Sequence, residues 1–173
     1  MNMLQNRIDR AWEECRSWIA KFDGSPNEAY LLPVEQNILP QAFQALSRQS
    51  ENFRVSTISK EARFISLDEL QKNLELLQKK EVEELNANFT ARLNSFSLDI
   101  HMIIYQLEPS RVALELDWWG DQVFSEAGDP FKEFQELIPY FVSLQELFNS
   151  PHLYLSPETG EKPGQQTTAW VEV

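Results

Sequence analysis

The sequence predicts an α+β fold: an antiparallel sheet, built on a hairpin at about 96–119 with further short strands, packed against several helices. Three observations predict it. Apolar residues recur at three-and-four spacing over residues 3–22 and again after residue 66, which marks helices with one buried face. Between 96 and 119 the apolar period changes to two. The chain therefore runs from helix to strands to helix, an order that suits helices laid on an antiparallel sheet. Its 173 residues, 42% hydrophobic and 24% charged, suffice for a single domain over 1–173 with a substantial core. The N-terminal helix (1–22) and a C-terminal strand (about 167–173) are expected to pack on it.

The first helix carries Leu4, Ile8, Ala11, Trp12, Cys15, Ile19 and Phe22 on one stripe, and Gly24-Ser25-Pro26 stops it. Cys15, inside that stripe, reads as a small buried thiol. After a loop containing Pro33, Pro40 suits the first position of a short helix to residue 49, with Phe43 and Leu46 on its face. Phe53, Val55 and Thr57 alternate, and Arg63-Phe64-Ile65 forms another short extended stretch. Ser66-Leu67-Asp68-Glu69 is a capping box, with Ile65 placed to staple onto Leu70. The helix it opens is expected to run through Leu74, Leu77, Val82, Leu85 and Phe89, with a kink or turn near Lys79-Lys80-Glu81.

In the hairpin, Phe96, Leu98, Ile100, Met102 and Ile104 alternate, as do Val112, Leu114, Leu116 and Trp118. Keeping both sets on one face requires paired positions with an even sum, so a three-residue loop near Glu108-Pro109-Ser110 is expected, pairing Ile104 with Leu114 or Leu116. Gly120-Asp121 then turns the chain into a third strand at Gln122-Val123-Phe124. Asp129-Pro130 opens a helix that Pro139 is expected to end. Ser143-Leu144-Gln145-Glu146 is a second capping box. Residues 64–70 thus recur in pattern at 141–147, because helix entry selects the same residue types; no repeat architecture follows. The tail reads as a strand at 152–155, a Pro- and Gly-containing loop, and a last strand with Trp170.

Composition narrows the chemistry. The five glycines are never closer than four apart, so neither a dinucleotide fingerprint nor a phosphate-binding P-loop is present. One cysteine and two histidines cannot build a Cys/His zinc cage or an intramolecular disulfide. No cofactor and no metal are expected. Charges at Arg7, Asp9, Arg10, Glu13, Glu14 and Arg16 interrupt any secretory h-region, and no apolar run is long enough to span a bilayer, so the expected compartment is the cytoplasm.

The net charge is -12, and residues 95–173 carry 13 acidic groups against 3 basic ones. Such a surface repels phosphate backbones and anionic lipid, so neither nucleic acid nor membrane is an expected partner; a basic protein surface is. Glu115, Asp117, Trp119, Asp121 and Glu126 form the candidate partner-binding set, because Trp119 falls on the outward face of the hairpin among carboxylates. On the same face Asp99 and His101 lie two apart, with Asp117 or Trp119 opposite His101. That set could orient an imidazole as a general base or hold a divalent metal, and it is the fallback catalytic reading, a small hydrolase or metal-dependent enzyme.

The leading expectation is a non-enzymatic, cytoplasmic binding module that engages a basic protein. In size, acidity, low glycine and aromatic content the chain resembles the small bacterial immunity proteins that neutralise toxin domains, many of them basic nucleases. The resemblance is one of profile and carries no motif. It implies an inhibitor-like role, with electrostatic steering followed by burial of Trp119. A third expectation is a self-associating structural protein, a homodimer whose exposed aromatics meet across a two-fold axis.

Overall fold

The computed structural model describes residues 3–21, 24–157 and 170–173. Among these residues it has five helices, α1 (Met3–Cys15), α2 (Leu39–Gln49), α3 (Leu70–Gln78), α4 (Gly120–Val123) and α5 (Pro130–Leu147). Eight strands accompany them: β1 (Pro26–Glu35), β2 (Glu51–Ile58), β3 (Ala62–Ile65), β4 (Glu84–Arg92), β5 (Ser97–Glu108), β6 (Arg111–Trp119), β7 (His152–Pro157) and β8 (Val171–Glu172). The strands form one antiparallel sheet in the order β3-β2-β4-β5-β6-β1-β7-β8. This is the α+β architecture the sequence predicts.

One sheet face supplies Val55, Leu85, Ala87, Phe89, Ile100, Met102, Ile104, Leu114, Leu116 and Trp118 to a continuous core shared with the apolar sides of the helices. Trp12 of α1 meets Phe131 and Phe134 of α5 at ring distances of 5.5 and 5.2 Å, which joins the first helix to the last long one. Cys15 is fully buried, and burial pushes its thiol up to about 12. The capping box at Ser66 and Glu69 forms as the sequence predicts. Asp129 caps α5 by accepting from the amides of Phe131 and Lys132. No helix among the described residues is long and apolar enough to cross a membrane.

Five local expectations are corrected. The supposed loop around Pro33 is β1, an interior strand between β6 and β7; its register slips between Leu31 and Val34, which lets a proline without an N–H sit beside the ladder. The helix opened at Ser66 ends at Gln78, and Leu85 and Phe89 belong to β4. Residues 120–123 form a helical turn, not a third strand. Helix α5 runs through Pro139 without ending. The proline costs about 3 kcal/mol in a helix interior, and burial of Leu137, Ile138, Phe141, Val142 and Leu144 on either side of it offsets that.

The fifth correction concerns the hairpin loop. Glu108 pairs with Arg111 across a two-residue turn, and a bulge between Gln106 and Glu108 restores the even register, so that Ile104 faces Leu114. The pairing is as expected but the device differs: one extra residue in the strand replaces one extra residue in the loop. The helix expected over 1–22 is helical over Met3–Cys15, with turns to residue 20. The C-terminal strand is present at Val171–Glu172, and residues 167–169 lie outside the described residues.

Candidate functional site

The sheet face turned away from the core follows from register alone. Arg54 pairs with Asn88, Asn88 with His101, His101 with Asp117, Asp117 with Glu28 and Glu28 with Ser156. One polar row therefore crosses six strands. In the next row Ser56, Asn86, Ile103, Glu115, Tyr30 and Tyr154 are neighbours. Such a face differs from a solvated sheet surface in its burial: Glu28 and Glu115 are 5% and 7% exposed.

Glu28, Glu115 and Asp117 each place a carboxylate oxygen within 4.8 Å of the others. Like charges at that separation cannot all ionise cheaply in a desolvated setting. Burial, followed by the charge of Asp117, accordingly pushes the Glu115 carboxyl up to about 7. The Tyr30 hydroxyl donates to Glu28 at 2.8 Å, and Tyr30 and Tyr105 beside Glu115 offset part of the upward shift of its carboxyl. Burial and the same carboxylates hold both phenols well above their usual range. Trp170 stacks on Tyr30 at 3.9 Å with 15° between the rings, so the C-terminal residues close this part of the face.

His101 Nδ1 lies 3.4 Å from Asp117 Oδ2, one of the two oppositions that the sequence allows. The hydrogen bond to Asp117 raises the imidazole's pKa, against the effect of burial. Asp99 does not join them. Its carboxylate accepts from Thr90 Oγ1 at 2.7 Å and from Gln122 Nε2 at 3.0 Å, while its amide donates to Gln122 Oε1. The set Asp99, His101 and Asp117 thus comes apart into a His–Asp pair and a separate braced carboxylate. The carboxylates that do converge, Glu28 and Glu115 with Asp117, escape sequence reasoning because Glu28 lies on a strand that reads as loop. Three oxygens of this kind suit a hard cation, yet tyrosine hydroxyls already engage two of the three groups.

Trp119 is half-buried on the same face, at the end of β6. It lines a hollow of about 360 Å³ with Asn52, Arg54, Asn88, Thr90, Asp99 and His101. The chain turns into α4 immediately after it, and Gly120 suits that turn because an added Cβ would meet Asn27 Nδ2 and the carbonyls of Ile19 and Lys21 at 3.3 Å. That turn sets Asp121 and then Glu126 on the surface, both exposed. Among the described residues, neither they nor Asp99 form an ion pair. The five candidate partner-binding residues therefore separate by role: Trp119, Asp121 and Glu126 reach the surface, whereas Glu115 and most of Asp117 lie beneath it, next to His101.

No family model matches the chain, and no curated protein matches it. Among solved structures, a chain in the 1.75 Å crystal structure of the toxic C-terminal tip of CdiA from Pseudomonas aeruginosa in complex with immune protein is similar, at 17% identity and a TM-score of 0.49. The match covers 78% of this chain and 87% of that one. A likeness of that depth transfers no residue and no activity.

Proposed function

We propose that the protein is a non-enzymatic cytoplasmic binding module, immunity- or inhibitor-like, that engages a basic protein surface through the sheet end around Trp119. One observation carries this reading: a half-buried tryptophan lines a hollow together with the exposed carboxylate Asp99, the exposed carboxylates Asp121 and Glu126 follow that tryptophan in the chain, and none of the three forms an ion pair among the described residues. Carboxylates without counter-charges raise the encounter rate with a basic surface. A tryptophan set next to them supplies the desolvated anchor that such interfaces use. His101, held by Asp117, lines the hollow, and the charge of the surface carboxylates, not this pair, is what draws the partner.

Affinity capture with bound proteins identified by mass, at low and high salt, tests the reading. A basic protein is expected at low salt and lost at high salt. Trp119→Ala should weaken its binding at least about thirtyfold, and Asp121→Lys with Glu126→Lys at least about tenfold, while His101→Ala retains it. A partner indifferent to all of these changes contradicts the proposal. The His101–Asp117 pair favours one other reading, a small hydrolase; an activity abolished by His101→Ala with stability nearly unchanged would establish that instead.

A further inference from the structure

The opposite edge of the sheet is built differently. Among the described residues strand β3 is the outermost strand on that side and pairs only with β2, so its outer backbone groups have no ladder partner there. It carries Phe64, 67% exposed, with the Arg54 guanidinium 5.7 Å from the ring centroid. Beside it is an apolar groove of about 380 Å³ lined by Phe53, Val55, Phe64, Ile65 and Leu67. An edge strand, an exposed aromatic and an adjoining groove together make a docking surface for another strand.

We infer that this edge takes the β3 strand of a second copy of the chain, antiparallel across a two-fold axis centred on Phe64. A two-fold axis perpendicular to the sheet allows only registers that keep each face on its own side. Centring on Arg63 sets like charges directly opposite, which is unfavourable. Centring on Ala62 draws the 59–61 turn into the ladder. Centring on Phe64 places the two aromatic rings across the axis and sets Arg63 of each copy opposite Ile65 of the other. Arg63 then lies one residue from the other copy's Ser66, whose amide binds the Glu69 carboxylate at 2.9 Å. Within one chain Arg63 Nη2 already reaches Glu69 at 3.2 Å, both groups being well exposed. In the dimer the same pair forms reciprocally between copies, so the edge is complementary in charge to itself.

The test needs no foreign partner. Sedimentation of the intact protein from low micromolar to near-millimolar concentration should show the mass rising from 20.2 kDa towards twice that value. Phe64→Glu, at an exposed position, should raise the dissociation constant at least about thirtyfold. Residues directly opposite in such a ladder have Cβ atoms about 4.5–5.5 Å apart, so Phe64→Cys should give a disulfide-linked dimer under mild oxidation while Lys60→Cys does not. Cys15, the one natural cysteine, is buried and gives no background. A monomer at every concentration overturns the inference. So does a dimer that survives Phe64→Glu, or one that does not link preferentially through Phe64→Cys.

Discussion

Trp118→Ala is expected to lower the unfolding free energy by about 3–5 kcal/mol, a large part of the roughly 5–15 kcal/mol that holds a domain folded. Trp118 is fully buried, with ring centroids 6.3 Å from Phe124 and 5.9 Å from Phe141. It thereby ties β6 to α5, and its loss leaves a cavity beneath the strand that presents Trp119. The indole Nε1 is buried with no acceptor among the described residues, a condition that costs about 1–3 kcal/mol. Trp118→Phe removes that donor while keeping most of the apolar volume. The two effects oppose each other, so the phenylalanine variant should stay within about 1 kcal/mol of the wild type. Urea unfolding of both variants checks this. A phenylalanine variant as unstable as the alanine one would mean that the N–H is satisfied in solution.

The second large effect is a pH dependence centred on Glu115. Its carboxyl goes from an ordinary 4.5 in the unfolded chain to about 7 in the fold. The folded state therefore binds more protons than the unfolded state across that interval, and stability must fall as pH rises through it. His101 acts in the same direction, because its folded pKa is raised: its contribution is present below the unfolded value and is lost as pH rises through the folded one. Glu69 and Glu136, whose pKa values are lowered, act oppositely and lose their contribution as pH falls below the usual carboxylate range. Maximum stability is thus expected near pH 5–6. Glu115→Gln should leave stability at pH 5 almost unchanged and raise it at pH 8 by about 1–2 kcal/mol, an order-of-magnitude figure that allows for imperfect replacement of the tyrosine hydrogen bonds. Unfolding curves at the two pH values measure it; an undiminished fall from pH 5 to pH 8 in the variant would place the titrating group elsewhere.

The hairpin was legible because its apolar residues alternate without a competing period, and the parity of that alternation also narrowed the residue opposite His101 to Asp117 or Trp119, of which the fold has Asp117. Strand β4 was not, and the reason is arithmetic. Leu85 and Phe89 are four apart, which satisfies a helix and a strand equally, while the residues that decide between them, Ala87 and Ala91, carry almost no hydrophobic signal. Strand β1 was hidden by its position. It is buried on both faces over Asn27–Leu31, so it shows no alternation, and it includes Asn27 and Glu28 among the buried residues.

The two similar heptads make the same point about context. Ser66 begins a helix, but Ser143, in the same local pattern, lies within one and returns its hydroxyl to the Tyr140 carbonyl. Helix α5 is already running when it reaches Ser143, and extending a helix is easier than nucleating a new one. Of the candidate site, the surface members could be read from strand parity and charge. The buried convergence of Glu28 with Glu115 and Asp117 required the pairing of β1 with β6, which no local pattern encodes.

Surface charge alone does not distinguish an interface from a solubility device, so location is the decisive observable. Amide hydrogen exchange of the protein, free and bound to the basic partner recovered by capture, tests the central claim most directly. Protection on binding is expected at residues 97–101 and 117–126, which hold Asp99, His101, Trp119, Asp121 and Glu126, with little change at β3 or on α3. Protection confined to α1, α2, α3 and α5, or to β3 with residues 117–126 unchanged, would contradict an interface at Trp119.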